Sequence, residues 1–396
     1  MDVLIINHKF PPDQGVATFR VAKFAKYLSD LGCNIFVLTR NNNSRKSNAH
    51  SDVLKSLEYI ERLDMVSDKI ISATDLRWLF PLIKRSLKLI NARNIDIVFH
   101  SGPQFLPFTN CIPVKKYTGV PYIIDLRDPW LLDDQPTTGG LRNWTYSNMN
   151  KFFQPRVFES ASAIVLNNNQ MKSMYSKQYP SLSEKMLTIN NGYDPEDYED
   201  IEPTQIDKFR IVFPGKFRDY MRWFFEPFSK FVDGRPDVSF THFGKKDREN
   251  TAQVRSVVEE LGLEKYVSFE GYVPRKQVFA ALLGADLGLA VGRPGDETHV
   301  PTKIYDYMGC DIPIMSVDDG VSAMRDILSR FPNAYMRERS NREAVYDTLI
   351  YAYENRPSCL GNPNEMEKYM RYNLTRELQK LMRSLVETET TVQRHF

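Results

Sequence analysis

The sequence predicts an α/β protein built as two doubly wound domains. Three observations carry that reading. Short apolar, β-branched runs alternate with helical patterns through the first half of the 396 residues. An acidic, aperiodic stretch at 194–207, holding Pro195 and Pro203, then breaks the alternation. Beyond it the alternation restarts and runs through the second half. The expected limits are a first domain over 1–198, a linker over 199–207 and a second domain over 208–364. A C-terminal helix over 365–396 is expected to cross back to the first domain.

Each element has its own local reason. "VLIINHKF" (3–10) is short, apolar and β-branched, as a buried parallel strand is. "PPDQGVAT" (11–18) reads as a loop. The helix at 19–32 places Phe19, Ala22, Phe24, Ala25, Leu28 and Leu31 at helical spacing and stops at Gly32. "CNIFVLTR" (33–40) closes a βαβ unit with an expected right-handed crossover. "IDIVFHSG", "PYIIDLRD", "SAIVLNN" and "KMLTINNGYD" continue the series. In the second half the strands are "FRIVFPGK", "VSFTHFGKK", "VSFEGYV", "LGLAVG" and "IPIMSV". "TAQVRSVVEELGL" and "RKQVFAALLGA" are the helices between them, and 365–389 reads as an amphipathic helix.

The bulk properties narrow the function classes. A formal net charge of +2 does not point to nucleic acid. Cys33, Cys111, Cys310 and Cys359 are scattered and form no CxxC, so reduced thiols in a cytoplasmic compartment are expected. No HExxH or zinc spacing occurs, and no apolar run approaches the roughly 18–20 residues of a membrane span. The N-terminus enters a strand directly, so no signal peptide is expected.

Ligands in open α/β sheets bind at the carboxyl ends of the strands, so functional residues are expected in the loops there. In "FPGKFRDYMR", Gly215 permits a tight turn and the cations Lys216, Arg218 and Arg222 follow, which suits a diphosphate or a solvated basic loop. Gly15 and Gly102 permit close backbone approach in "PPDQGVAT" and "HSGPQ". In "IIDLRDPW", Asp125 and Asp128 flank Arg127 at the mouth of an apolar strand. Such charges are either a structural ion pair or ligand contacts. In "VPTKIYDYMGCDIPIMSV" (300–317), Thr302 is a plausible N-cap, and Lys303 and Asp306 share one helix face. That pair is either a solvated edge or a grip on phosphate and sugar hydroxyls.

"GYDPEDY", "GYVPRKQVFAALLGADLGLAV" and "VPTKIYDYMGCDIPIMSV" resemble the nucleotide-sugar-dependent glycosyltransferases of the GT-B fold, family 4. "DLRDPW" and "PGKFRDYMRWFFEPFSKF" resemble a branch of bacterial surface-polysaccharide synthesis. The resemblance implies two Rossmann-like domains facing a central cleft. It implies that Lys216 and Arg222, six apart, grip the diphosphate of a UDP- or GDP-linked sugar together with Lys303, and Gly15 is assigned to the same group. Of the family's two glutamates eight apart, the second falls on Asp306, which would contact the ribose. The first falls on Thr298, with Glu297 adjacent, so either takes the sugar-contacting position. Tyr272 and Val273 would lie near the base. Asp125 or Asp128 would orient acceptor or sugar, with Arg127 and Gly102 on the acceptor side. Retention of configuration, no cofactor and no metal are implied.

The acceptor is expected to be a glycan or a lipid-linked sugar. "DLRWLFPLIKRSLKLINARN" (75–94) mixes apolar residues with Arg77, Lys84, Arg85, Lys88 and Arg93. It is either an ordinary amphipathic core helix or a surface that docks peripherally on an anionic membrane from the cytoplasmic side. Two other readings of the whole chain are a non-catalytic GT-B subunit and a nucleotide-sugar epimerase.

Overall fold

The first strand, β1 (Asp2–Asn7), is buried from Val3 to its end, as a parallel strand covered on both faces must be. It opens a computed structural model that describes residues 1–13, 16–41, 51–65, 74–102, 104–130, 140–216, 221–244 and 248–393. The chain forms two units, Met1–Asn191 with Arg371–Phe396, and Gly192–Met370. Residues 199–207 fall in the second.

In the first unit β1 is followed by α1 (Val16–Asp30), β2 (Asn34–Arg40), α2 (Ser51–Lys55), β3 (Tyr59–Leu63), α3 (Thr74–Arg93) and β4 (Ile97–Gly102). Then come α4 (Cys111–Thr118), β5 (Tyr122–Leu126), α5 (Gly140–Ser160), β6 (Ala163–Leu166), α6 (Asn169–Gln178) and β7 (Met186–Thr188). The seven strands are parallel in the order β3-β2-β1-β4-β5-β6-β7. The order reverses between β1 and β4, so their following loops meet at the ligand-binding position of such sheets. Side chains alternate between two cores. Val3 and Ile5 pack with Val21, Ala25 and Leu28 of α1, whereas Leu4 and Ile6 pack with Trp78 and Leu82 of α3 and Phe158 of α5. The C-terminal helix Arg371–Gln393 belongs to this unit. Its Leu374, Leu378 and Met382, four apart, enter the core that holds α1, and Gln379 Nε2 donates to the Leu31 carbonyl at 3.0 Å.

Helix α3 has the form of the core-helix alternative for 75–94. Trp78 and Leu82 have no exposure and Leu79 has 8%, because all three face the sheet. Arg85 of the same helix pairs with Glu61 of β3 at 2.5 Å. Phe80 keeps an open apolar surface, at 57%. Most of the apolar stripe is therefore core, with Phe80 left outside it.

The second unit runs β8 (Phe209–Pro214), α7 (Arg222–Phe231), β9 (Val238–Phe243), α8 (Arg248–Glu260), β10 (Val267–Gly271), α9 (Arg275–Leu283) and β11 (Leu287–Val291). It continues through α10 (Lys303–Gly309), β12 (Ile314–Asp318), α11 (Ala323–Leu328), β13 (Ala334–Glu338), α12 (Arg342–Asn355) and α13 (Pro363–Glu367). The C-terminal helix is thus α14. Six parallel strands lie in the order β10-β9-β8-β11-β12-β13, reversing between β8 and β11. Buried Phe224, Phe225 and Phe228 of α7 surround Phe240 of β9 at centroid distances of 5.4, 5.5 and 5.9 Å. That aromatic packing seats α7 on the sheet.

Candidate active site

The second unit builds its site where β8 and β9 end. Gly215 has a φ of +112°, a conformation that a side chain would strain. Its N–H donates to the Phe243 carbonyl at 2.7 Å, and its carbonyl accepts from His242 Nε2 at 2.7 Å. Burial holds the His242 imidazole down at about 4, so it is neutral and donates as the Nε2–H tautomer. A Cβ on Gly244 would stand 2.1 Å from the Gly215 carbonyl oxygen, so the two strand ends touch only because Gly244 carries no side chain.

Lys303, the first residue of α10, lies directly against this turn. Its Nζ is 3.4 Å from the Cβ position of Gly215 and 3.4 Å from the centroid of the Phe213 ring. Burial pushes the ammonium down to about 7, and Asp306 opposes the shift. Among the described residues it forms no ion pair. Phe213 supports the cation through its ring face, but a ring does not neutralise a charge. Lys216 is exposed immediately after Gly215. Arg222 is also exposed but turned to a different task. It forks onto Glu260 of α8, with NH1 at 2.9 Å, and its Nε meets Glu226 at 3.0 Å. The structure thus brings Lys303 to Gly215 and leaves Arg222 occupied by carboxylates of its own unit.

Asp306 is not a solvated edge. Its Oδ1 accepts from Arg275 at 3.2 Å and from the Tyr198 hydroxyl at 3.3 Å, and Arg275 also reaches Asp197 at 3.3 Å. The Arg275 guanidinium lies over Phe279, which also packs on Tyr198 at 4.5 Å. The loop between β11 and α10 distinguishes Glu297 from Thr298. Thr298 is buried, and its hydroxyl donates to Asp296 Oδ1 at 2.7 Å. Glu297 is exposed, with its carbonyl accepting from the Ala323 N–H at 2.7 Å. Tyr272, 75% exposed, and half-buried Val273 form the turn after β10, where the Gly271 carbonyl accepts from the Gly244 N–H at 2.9 Å.

In the first unit the strand ends carry the charged run. Asp125 has no exposure. Arg20 of α1 clamps both its oxygens at 2.9 and 3.2 Å, and the Ser101 hydroxyl donates to it at 2.6 Å. Arg20 also donates to the Ile189 and Asn190 carbonyls at 2.8 and 2.6 Å. The buried ion pair at this strand mouth is therefore Arg20–Asp125, not the Arg127–Asp128 contact that neighbouring positions suggest. Asp125 has no face open to a ligand, whereas Asp128 is exposed. Arg127 is half-buried. Burial lowers its guanidinium to about 10, with Asp125 and Asp128 opposing, so it stays cationic. Its Nε and NH2 are buried without a hydrogen-bond partner among the described residues. Gly102 closes β4. A Cβ there would meet the Gln104 N–H at an ordinary 3.5 Å, so space does not demand glycine. Gly15 lies outside the described residues.

Sequence reading missed Arg20, His242, Gly244 and Arg275. Gly244 follows a strand in the same way as Gly215, and that parallel is the signal that could have found it. Arg20 and His242 sit inside helix and strand patterns, where a polar residue gives no sign of its partner.

A family model described as Glycosyltransferase Family 4 matches residues 15–197. A second, described as Glycosyl transferases group 1, matches residues 208–355. No curated protein matches the chain. Among solved structures the chain is similar to a glycosyltransferase from Rickettsia africae, with a TM-score of 0.71 and 13% identity over 97% of this chain and 98% of that one. It is similar to HepE of Anabaena in complex with UDP, with a TM-score of 0.68 and 14% identity over 97% and 100%. It is also similar to sucrose-phosphate synthase from Thermosynechococcus elongatus, at 0.68 and 12% over 98% and 99%. At such identities the likeness is one of fold. With its two doubly wound units and its two family matches, the chain belongs to the glycosyltransferases, an enzyme of the GT-B fold with a family 4 first half and a group 1 second half.

Proposed function

We propose that the protein moves a sugar from a UDP- or GDP-linked donor to a glycan or lipid-linked acceptor in the synthesis of bacterial surface polysaccharide. The observation that carries the donor class is Lys303, a cation held beside the bare backbone of Gly215 with no carboxylate paired to it among the described residues. A diphosphate supplies the missing negative charge and accepts from backbone N–H groups that glycine leaves open. HepE, of the same fold, binds UDP, which supports a nucleotide there.

In this reading Lys303 and Lys216 stabilise the negative charge that grows on the leaving diphosphate. Arg222 joins them by exchanging Glu260 for phosphate. Asp306, steadied by Arg275, accepts from the ribose hydroxyls, and Tyr272 and Val273 flank the base. Glu297 contacts the transferred sugar. Asp128 orients the acceptor hydroxyl, and Asp125 acts at a distance by fixing Arg20 and the strand end. The leaving oxygen takes the acceptor proton on the face it departs from, so the anomeric configuration is retained and the charge stabilisation needs no metal. The enzyme works in the cytoplasm, at the inner face of the membrane when its acceptor is lipid-linked.

The test is incubation with UDP- and GDP-sugars, bacterial envelope lipids and glycans, and EDTA. A glycosylated product with retained configuration, found by mass spectrometry and NMR, is the expected result. An epimerised sugar nucleotide formed without acceptor would instead make the chain an epimerase.

A further inference from the structure

Arg127 stands one residue beyond β5, and the register pairs Gly102–Leu126 and Leu126–Leu166 place the ends of β4 and β6 on either side. Its position is rigid. Asn167 Nδ2 donates to the Arg127 carbonyl at 3.3 Å. Three residues on, Trp130 is fully buried, with its indole N–H on Asn150 at 2.9 Å and its carbonyl accepting from the Tyr175 hydroxyl at 2.8 Å. Asp125 and Asp128 favour its charge, yet the guanidinium itself is left without hydrogen bonds on one edge. Among the described residues, Nε and NH2 are buried and unpartnered, and Arg127 forms no ion pair. The nearest carboxylate in sequence on the strand side, Asp125, is already filled by Arg20 and Ser101. A buried, unpaired cation is costly unless a partner arrives to meet it.

Nε and NH2 form one edge of a guanidinium, and two N–H groups on one edge match two oxygens of a phosphate or a carboxylate. We propose that Arg127 receives an oxyanion carried by the acceptor, a phosphate or carboxylate group near the hydroxyl that is glycosylated. The proposal rests on the transferase reading and narrows its acceptor to acidic molecules. Lysine would not replace arginine here, because a point charge cannot offer the two-pronged edge.

The experiment titrates protein saturated with nucleoside diphosphate, first with inorganic phosphate and then with glucuronate. The readout is the NMR signal of the Arg127 Nε–H, assigned by its loss in Arg127→Gln. A saturable shift of that signal with one of the two anions is expected and names the source of the oxyanion. No shift with either overturns the proposal. So does a shift produced by the nucleoside diphosphate alone, which would put the oxyanion on the donor. A second arm compares transfer to a neutral acceptor and to its phosphorylated or uronic acid counterpart. The wild type should favour the acidic acceptor by about tenfold or more, and Arg127→Lys should lose most of that preference while keeping nucleotide affinity. Equal use of both acceptors by the wild type, or an undiminished preference in Arg127→Lys, would refute it. Failure of the protein to bind any nucleotide would count against the transferase reading instead, and the anion titration of Arg127 still reads out without it.

Discussion

The Lys303 ammonium lies 3.4 Å from the centroid of the Phe213 ring, where β8 ends. The contact holds a positive charge at the strand mouth without neutralising it, and burial lowers the ammonium to about 7. A phosphate-binding lysine in that state makes affinity depend on pH. Below about 7 the charge is present before the ligand arrives. Above it, the ligand must draw a proton in. Affinity for a nucleotide sugar, whose diphosphate does not titrate in this range, should therefore fall between pH 7 and 9, by up to about tenfold per unit. Lys303→Arg should flatten the profile. A wild-type profile that is flat, or that rises with pH, would remove Lys303 from the phosphate site.

Arg222 and Glu260 form an exposed fork in the second unit. If Arg222 leaves that fork for phosphate, Glu260→Gln should loosen it, with the Glu226 contact remaining. Calorimetry should then show nucleotide sugar binding about two- to fivefold tighter, because an exposed pair holds its partner weakly. Arg222→Ala should abolish the gain. Unchanged binding in Glu260→Gln would leave Arg222 as a tie between α7 and α8.

The first unit offers a contrast between two aspartates three residues apart. Asp125→Ala strands the buried Arg20 and should cost about 3–5 kcal/mol in urea unfolding. Asp128→Ala removes an exposed group and should stay within about 0.5 kcal/mol, yet lower turnover. If Asp128→Ala keeps full turnover, neither aspartate touches substrate.

These aspartates also show how far the sequence could be read. The buried strands were legible because their apolar runs are dense and bounded by turn residues, as in "VLIIN" and "LGLAV". The edge strands β3 and β13 were not. "YIERL" and "AYMRE" are half polar, since an edge strand is only partly covered. The spacing of Lys303 and Asp306 put both in the first turn of α10, but their neighbours were invisible. Phe213 comes from a strand 90 residues earlier, and Arg275 from a helix two elements back. Arg20 reaches Asp125 across 105 residues. Long-range pairings of that sort depend on packing, which periodicity does not encode.

Glu297 and Thr298 separate in the same way. Thr298→Val breaks the hydrogen bond to Asp296 and should cost about 1 kcal/mol in stability. Glu297→Gln should lower turnover more than affinity for the bare nucleotide, which has no sugar to contact. The reverse pattern would move the sugar contact to Thr298.

The claim beneath all of these is a nucleotide diphosphate on Lys303. Isothermal titration of the wild type and Lys303→Met with UDP, GDP and their sugars measures it directly. One nucleotide family should bind the wild type, and Lys303→Met should bind it about 1.5–3 kcal/mol more weakly with an unaltered circular dichroism spectrum. Equal affinity in the two proteins, or no binding of any nucleotide to the wild type, would contradict it.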